Sequence, residues 1–210
     1  MRFGFDRVLL LAVTVSTAAA AQAPVPTAAD VRFMQGMIGH HAQAVVMSHL
    51  VPARTRTATL RLMAERIDVS QRDEIALMSR WLGARGTAVP VVDTAAPTDH
   101  GAVAGQGMAG HDMGKPAMGA HDLMMPGMLS PEQLARLAAA KGATFDRLFL
   151  TFMIQHHEGA LVMVRELLKG RANGQDPALY EFASDIDATQ RAEIARMRKL
   201  LASRTRRSRT

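Results

Sequence analysis

Cysteine is absent from this chain, and aromatic residues are scarce. Its 210 residues include no cysteine, one tryptophan and one tyrosine. Disulfides therefore cannot stabilise the fold, and no thiolate is available as a nucleophile or as a metal ligand. The chain also offers little aromatic surface on which nucleic-acid bases could stack, so we expect no nucleic-acid partner. Any soft metal ion bound by this protein must use methionine or histidine side chains.

A long apolar run is missing as well. The apolar stretch at residues 8–15 follows two arginines and falls far short of the roughly 20 residues of a transmembrane helix. A basic start, a short apolar stretch and then small residues are typical of a secretory signal peptide. We predict a signal peptide over residues 1–21, with cleavage after Ala23 as the second option. The mature chain should be exported to the periplasm or the exterior and should carry no transmembrane segment.

Charge shows little pattern except at the C-terminal end. The formal net charge is +6, and residues 203–210 form a basic tail that contains four arginines. We interpret this tail as a solvated chain end. The sequence contains no phosphate-binding glycine loop, no nucleotide fingerprint, and no spacing of Ser, Asp and His that indicates acyl transfer. We therefore expect a binding protein without catalytic activity.

An internal repeat dominates what the sequence does contain. Residues 33–47, FMQGMIGHHAQAVVM, and 149–163, FLTFMIQHHEGALVM, share Phe, Met-Ile, His-His, Ala and Met at the same offsets. Downstream, IDVSQRDEIALM at 67–78 returns as IDATQRAEIARM at 186–197. Each half thus pairs a Met/His segment with a Gln/Glu/Met segment.

Apolar residues at three- and four-residue spacing predict an all-α protein built from two helical hairpins. The first hairpin should cover residues 30–83, the second 130–202. We predict helices from near Asp30 to Pro52, from Thr57 to Trp81 with Gly83 as a stop, from Ser130 to a break at Gly142, from Phe145 to Leu168, and from Asp176 to near Leu201. Capping boxes are expected at Thr27 with Asp30 and at Ser130 with Gln133.

Between the hairpins, residues 84–129 are rich in Gly, Ala, Pro, Met and His and lack a helical period. We interpret them as a flexible linker. Few bulky apolar neighbours are available to bury its methionines. Neutral thioethers can hold Cu(I), whereas histidine favours Cu(II). The candidate ligands of the linker are Met108, His111, Met113, Met118, His121, Met124, Met125 and Met128.

The repeated segments place methionine and histidine on one helix face, with the second histidine of each pair on its flank. The partner segments place glutamate and methionine on one face in the same way. Methionine at this spacing normally fills a core, yet two histidines and two carboxylates are costly to bury without a function. We therefore favour metal binding for the tandem histidines, and a structural role for Gln71 and Gln190. The candidate helical ligands are Met37, His40, His41, Met47, Glu74, Met78, Met153, His156, His157, Met163, Glu193 and Met197.

The repeated MI.HH..A..M segments, the Q..EI..M partner segments and the MMPGMLSPEQLARL lead-in resemble the exported domain-of-unknown-function family 305 over about residues 30–202. The resemblance implies a ferritin-like four-helix bundle, and it implies copper binding through Met and His, as in some periplasmic relatives. The same resemblance points to the tandem histidines and their methionines as ligands. The first repeat has Gly36 and Gly39 where the second has Phe152 and Gln155, which favours a close helix approach in the first half.

Our leading hypothesis is an exported copper-binding protein that sequesters or transfers copper in copper tolerance. Cu(I) is the favoured ion, Cu(II) is the second option, and other envelope copper-handling proteins are the expected partners. One alternative is a ferritin-like di-iron or di-manganese oxidase. Such a site usually needs about four glutamates and two Glu-x-x-His motifs, whereas this chain has no Glu-x-x-His and only Glu74 and Glu193 as matching carboxylates. A second alternative is a structural or interaction module of the envelope that binds no metal.

Overall fold

The computed structural model describes residues 25–95, 125–170 and 176–207. These residues form five helices and no strand, which confirms the all-α prediction. The helices are α1 (Ala28–Arg54), α2 (Ala58–Ala84), α3 (Pro131–Ala139), α4 (Gly142–Lys169) and α5 (Pro177–Arg207). The signal peptide and six candidate linker ligands lie outside the described residues, namely Met108, His111, Met113, Met118, His121 and Met124.

Local sequence signals explain where the helices begin. Thr27 caps α1 in a capping box with Asp30, and Ser130 caps α3 in the same way with Gln133. Both motifs satisfy backbone N–H groups that the first helical turn leaves without partners. At the start of α5, the Asp176 carboxylate accepts the backbone N–H of Ala178 at 2.9 Å.

The helices end somewhat later than the sequence predicts. Helix α1 includes Pro52 in its last turn and ends at Arg54. Helix α2 passes Gly83, and the residue with positive φ that follows it is Gly86, at 64°. Helix α5 continues through part of the basic tail to Arg207, past the predicted end near Leu201. The proline at Pro52 and the glycine at Gly83 are therefore accommodated within the last turns of their helices.

Each half of the chain forms a helical hairpin, α1 with α2 and α4 with α5, and α1 packs against α4 between them. Two apolar clusters fill the interior. The Phe149 cluster joins the end of α1 and the start of α4, and includes Met47, Met153 and Met197. The Trp81 cluster joins the start of α1 and the end of α4, and includes Met37 and Met78. Helices α1 and α4 are therefore antiparallel.

A polar layer separates the two clusters along all four long helices. It consists of four buried histidines on α1 and α4, and of two glutamines and two glutamates on α2 and α5. We call this set the histidine layer: His40, His41, Gln71, Glu74, His156, His157, Gln190 and Glu193. Glu74 is partly buried, and the other members are buried. Burial of so many polar groups at mid-height is costly unless hydrogen bonds or a ligand compensate for lost hydration.

Residues 125–130, here called the strap, cross α1 and α4 at the level of the histidine layer. Most of this segment lies within the predicted linker, residues 84–129. The Gln43 side chain receives the backbone N–H of Leu129 at 2.8 Å and donates to the carbonyl of the same residue at 3.1 Å. Leu129 is 2% exposed and belongs to the Phe149 cluster. The last part of the predicted linker is thus docked on the helices.

Two glycines permit this docking. Gly127 adopts a φ of 77°, a backbone conformation that is unfavourable for residues other than glycine. A Cβ atom on Gly159 of α4 would lie 1.9 Å from the Pro126 carbonyl oxygen. Backbone therefore rests directly on backbone at this point, and only glycine fits.

No helix within residues 25–95, 125–170 and 176–207 is long and apolar enough to span a membrane.

Candidate metal centre

His40 and His156 form the centre of the histidine layer, where α1 and α4 cross. Their ring centroids are 3.8 Å apart with an interplanar angle of 38°, and both side chains are almost completely buried. The Nε2 atom of His156 lies 3.0 Å from the backbone oxygen of His40. The Nε2 atom of His40 lies 3.0 Å from the carbonyl oxygen of Pro126 in the strap. Because a carbonyl can only accept, each ring carries a proton on Nε2.

His41 and His157 lie on either side of this pair and each contacts a carboxylate of the neighbouring helix. The Nε2 atom of His41 is 2.5 Å from the Oε2 atom of Glu74 on α2. The Nε2 atom of His157 is 2.7 Å from Oε2 of Glu193 on α5. The repeat in the sequence thus becomes a repeated His–Glu pair in space.

The four rings share one pattern of hydrogen bonding. In each, Nε2 donates to an oxygen, and Nδ1 is buried and has no hydrogen-bond partner among the residues that the structure describes. A histidine that binds a metal through one ring nitrogen almost always donates its other N–H to a carbonyl or a carboxylate, which fixes the tautomer and the ring orientation. All four histidines meet this requirement before any ion is bound.

The electrostatic surroundings keep the central pair neutral. Burial lowers the pKa of His40 from 6.5 to about 3, with further lowering by His41 and a smaller opposing effect of the Pro126 carbonyl. Burial also lowers the pKa of His156 well below 6.5, with His40, His157 and His41 contributing in the same direction. At neutral pH both rings therefore present a lone pair at Nδ1 rather than a second proton.

Thioethers lie on both sides of the histidine layer. Met37 and Met78 are fully buried in the Trp81 cluster, and Met163 is partly buried against it. Met47, Met153 and Met197 are fully buried in the Phe149 cluster. Met125 and Met128 of the strap are partly buried. The predicted helical methionines are thus divided between two clusters, with the histidines between them.

Within the described parts of the chain, no three His, Asp or Glu side chains are grouped so that they could hold a metal ion. Glu74 and Glu193 are engaged with histidine Nε2 atoms rather than directed at a shared point. The ligand set of a di-iron or di-manganese oxidase is therefore not assembled among these residues. An ion bound at His40 and His156 would need thioethers to complete its coordination.

Comparison with known proteins supports the sequence resemblance. Residues 30–201 match the family model described as Domain of unknown function (DUF305). This chain belongs to the DUF305 family. No curated protein matches it.

Solved DUF305 structures share its fold. A DUF305 fragment from Deinococcus radiodurans is 30% identical, with a TM-score of 0.65, and the match covers 86% of this chain and 99% of that one. A DUF305 protein from Streptomyces coelicolor that is described as secreted is 26% identical, with a TM-score of 0.63 and coverage of 84% and 94%. CopM in its Cu(I)-bound form is 23% identical, with a TM-score of 0.57 and coverage of 83% and 96%.

The DUF305 sequence motifs do not reveal every residue that shapes the histidine layer. The strap was missed, although its Pro126 carbonyl fixes the tautomer of His40. Gln155 donates to the carbonyl of Gly127 at 3.4 Å. The Oε1 atoms of Gln71 and Gln190 are buried and have no partner among the described residues. The MMPGM run at residues 124–128 overlaps the strap, but its composition indicates a linker.

Proposed function

We propose that this DUF305 protein is exported, binds copper, preferably Cu(I), and stores it or passes it to another envelope protein without catalysing a reaction. The observation that carries the proposal is the shared state of the four histidines. Each donates its Nε2 proton to an oxygen and keeps a buried Nδ1 atom that has no partner in the described parts of the chain.

Energetics favour a ligand at this level of the bundle. A buried acceptor without a hydrogen bond costs roughly 1–3 kcal/mol, and four such nitrogens lie within one layer. A purely structural layer would pair these atoms or replace them with apolar groups. Coordination of an ion by Nδ1 would recover the lost interaction. It would also leave the existing Nε2–H bonds in place to orient the rings.

The donor types favour copper over harder ions. Neutral imidazoles and thioethers are soft or borderline ligands, and the chain has no cysteine that could supply thiolate. Both nearby carboxylates already accept histidine protons. A monovalent ion needs little compensating charge in such an interior. Two solved structures of one relative support this choice, CopM in a Cu(I)-bound form and CopM in an Ag-bound form.

The test is a Cu(I) titration of the mature protein against a competing chelator. In the variant His156→Gln, the side-chain amide can still donate to the His40 carbonyl, but the ring Nδ1 is lost. We expect copper affinity to fall by about tenfold or more, since loss of a coordinating or orienting group typically costs this much.

The matched control is His49→Gln, because His49 lies on the same helix as His40. Its side chain is 31% exposed and is paired with Asp68 at 3.0 Å. This variant should bind copper like the parent protein. Equal affinities for all three proteins would contradict the proposal and would leave the histidine layer with a structural role.

A further inference from the structure

Two methionines that are distant in sequence meet over Gly36 on α1. A Cβ atom at Gly36 would lie 3.2 Å from the Sδ atom of Met125 and 3.5 Å from the Cε atom of Met163. A Cβ at Gly39, one turn further along, would lie 3.6 Å from the Cε atom of Met125. The Met125 side chain therefore lies in a groove that the two glycines leave open, and the end of Met163 reaches the same place.

The repeat shows that this groove is particular to the first half of the chain. The residue equivalent to Gly36 in the second repeat is Phe152, which is 6% exposed and packs in the Phe149 cluster. Glycine in the middle of a helix costs roughly 0.5–1 kcal/mol relative to alanine. The first repeat thus bears a helix penalty at the place where the thioethers meet.

The two methionines differ from the core methionines in their exposure. Met37 and Met78 are completely buried, whereas Met125 and Met163 are only partly buried. Buried methionine is normally explained by packing. Two partly exposed methionines that lie side by side can instead be reached by a soft ion that arrives from outside.

The position of Met125 connects this groove to the histidine layer. Met125 directly precedes Pro126, whose carbonyl accepts the Nε2 proton of His40. His40 also lies four residues after Gly36 on α1, and therefore on the same helix face. An ion held in the groove would be about one helical turn from the central histidine pair.

We propose that Met125 and Met163 form a second, partly exposed site for a soft monovalent cation, and that this site passes the ion to His40 and His156. The transfer step rests on the function proposed above, whereas binding in the groove does not. The step is a ligand exchange in which Cu(I) keeps its oxidation state. No proton is released, because the thioethers and the Nδ1 lone pairs are already free of protons.

The site can be tested with Ag⁺ as a redox-inert probe. The full mature chain would be labelled with ¹³C at the methionine methyl groups, and the resonances of residues 125 and 163 would be assigned from Met125→Leu and Met163→Leu variants. We expect both resonances to shift on addition of Ag⁺. We expect each leucine variant to lower the affinity reported by the remaining methyl group by about tenfold, comparable with the loss of a metal-supporting group.

Met63→Leu serves as the control, because Met63 is also partly buried but is neither a candidate ligand nor among the residues that meet Gly36. The experiment is then repeated with His156→Gln. Shifts of Met125 and Met163 that persist in this variant support an independent groove site. Unchanged resonances in the parent protein at saturating Ag⁺ would overturn the inference, even if the histidine layer binds the ion. Shifts in the groove, together with equal Cu(I) affinities of the parent protein and His156→Gln, would support the groove site but would contradict transfer to the histidine layer.

Discussion

Replacing Gly159 by alanine would place a methyl group where the strap rests on α4. The new Cβ would lie 1.9 Å from the Pro126 oxygen and 2.6 Å from the Cα atom of Gly127. Both neighbours are backbone atoms, so neither can move aside by changing a rotamer. We therefore expect the strap to leave its place over the helices, at least from Pro126 to Gly127.

The expected loss of stability follows from the hydrogen bonds that the Pro126 and Gly127 carbonyls accept. Displacement of the strap would break the bond from Gln155 to the Gly127 carbonyl, worth roughly 0.5–1.5 kcal/mol. It would also leave the buried His40 N–H without its acceptor, the Pro126 carbonyl, at about 1–3 kcal/mol. Alanine is better than glycine within a helix by about 1 kcal/mol. We therefore expect the free energy of unfolding to fall by about 2 kcal/mol.

Urea denaturation of the metal-free protein would measure this change, with Gly83→Ala as the matched control. Gly83 lies in the last turn of α2, and a Cβ atom there would have no neighbour within 4 Å. The control should therefore be as stable as the parent or slightly more stable. If Gly159→Ala behaved like Gly83→Ala, the strap would not be docked in solution, and the account of His40 given above would be wrong.

Three further outcomes follow from the histidine layer and its surroundings. Because burial lowers the pKa values of His40 and His156 in the folded protein, these histidines take up protons at a higher pH in the unfolded chain than in the folded one. The metal-free protein should therefore lose roughly 1.4 kcal/mol per pH unit and per histidine as pH falls below about 6.5; urea denaturation at several pH values that shows no such slope would contradict burial of neutral rings. Glu74→Gln and Glu193→Gln should each weaken Cu(I) binding by about tenfold, because the charged acceptor that makes the histidine more basic is lost; chelator competition that shows unchanged affinity would exclude the outer histidines as ligands. Arg85→Ala should lower the free energy of unfolding by about 2 kcal/mol, because a buried carboxylate loses its ion-pair partner, and a thermal denaturation curve like that of the parent would argue against this contact.

Much of the architecture could be predicted from the sequence because its signals are local. Apolar spacing within single segments indicates the helices, and the boxes at Thr27 and Ser130 indicate two helix starts. The repeat indicates that the halves are equivalent, so the pairs formed by His41 and His157 with glutamates could be anticipated in kind. Helix ends are less accurately predicted, because a proline or a glycine can lie within the last turn of a helix, as Pro52 and Gly83 do.

The strap could not be predicted because its interactions are not local. It is held by side chains of α1 and α4 and by backbone contact, and none of these leaves a periodic pattern in residues 125–130. We expected Gly36 and Gly39 to permit the close approach of another helix, and this prediction is wrong about what approaches them. The neighbours found over these glycines are methionine side chains, mainly that of Met125, rather than another helix backbone.

One of the differences between the two repeats is nevertheless explained by the strap. Gln43 and Gly159 occupy equivalent positions, and both contact the strap by different means. Gln43 holds the backbone of Leu129 through its side-chain amide, whereas Gly159 makes room for Pro126 and Gly127. Within the described residues one such segment crosses both helices, and each repeat contacts it through a different kind of residue.

This asymmetry extends to the central histidines. The Nε2 proton of His156 is bound by the backbone of α1, at the carbonyl of His40. In an exact two-fold arrangement His40 would donate to the carbonyl of His156, but it donates to Pro126 instead. Displacement of the strap would therefore release the orientation of His40 and leave that of His156 unchanged. If copper passes through this layer, the exchangeable ligand should be His40, because it is the member of the pair whose position depends on a segment outside the helices.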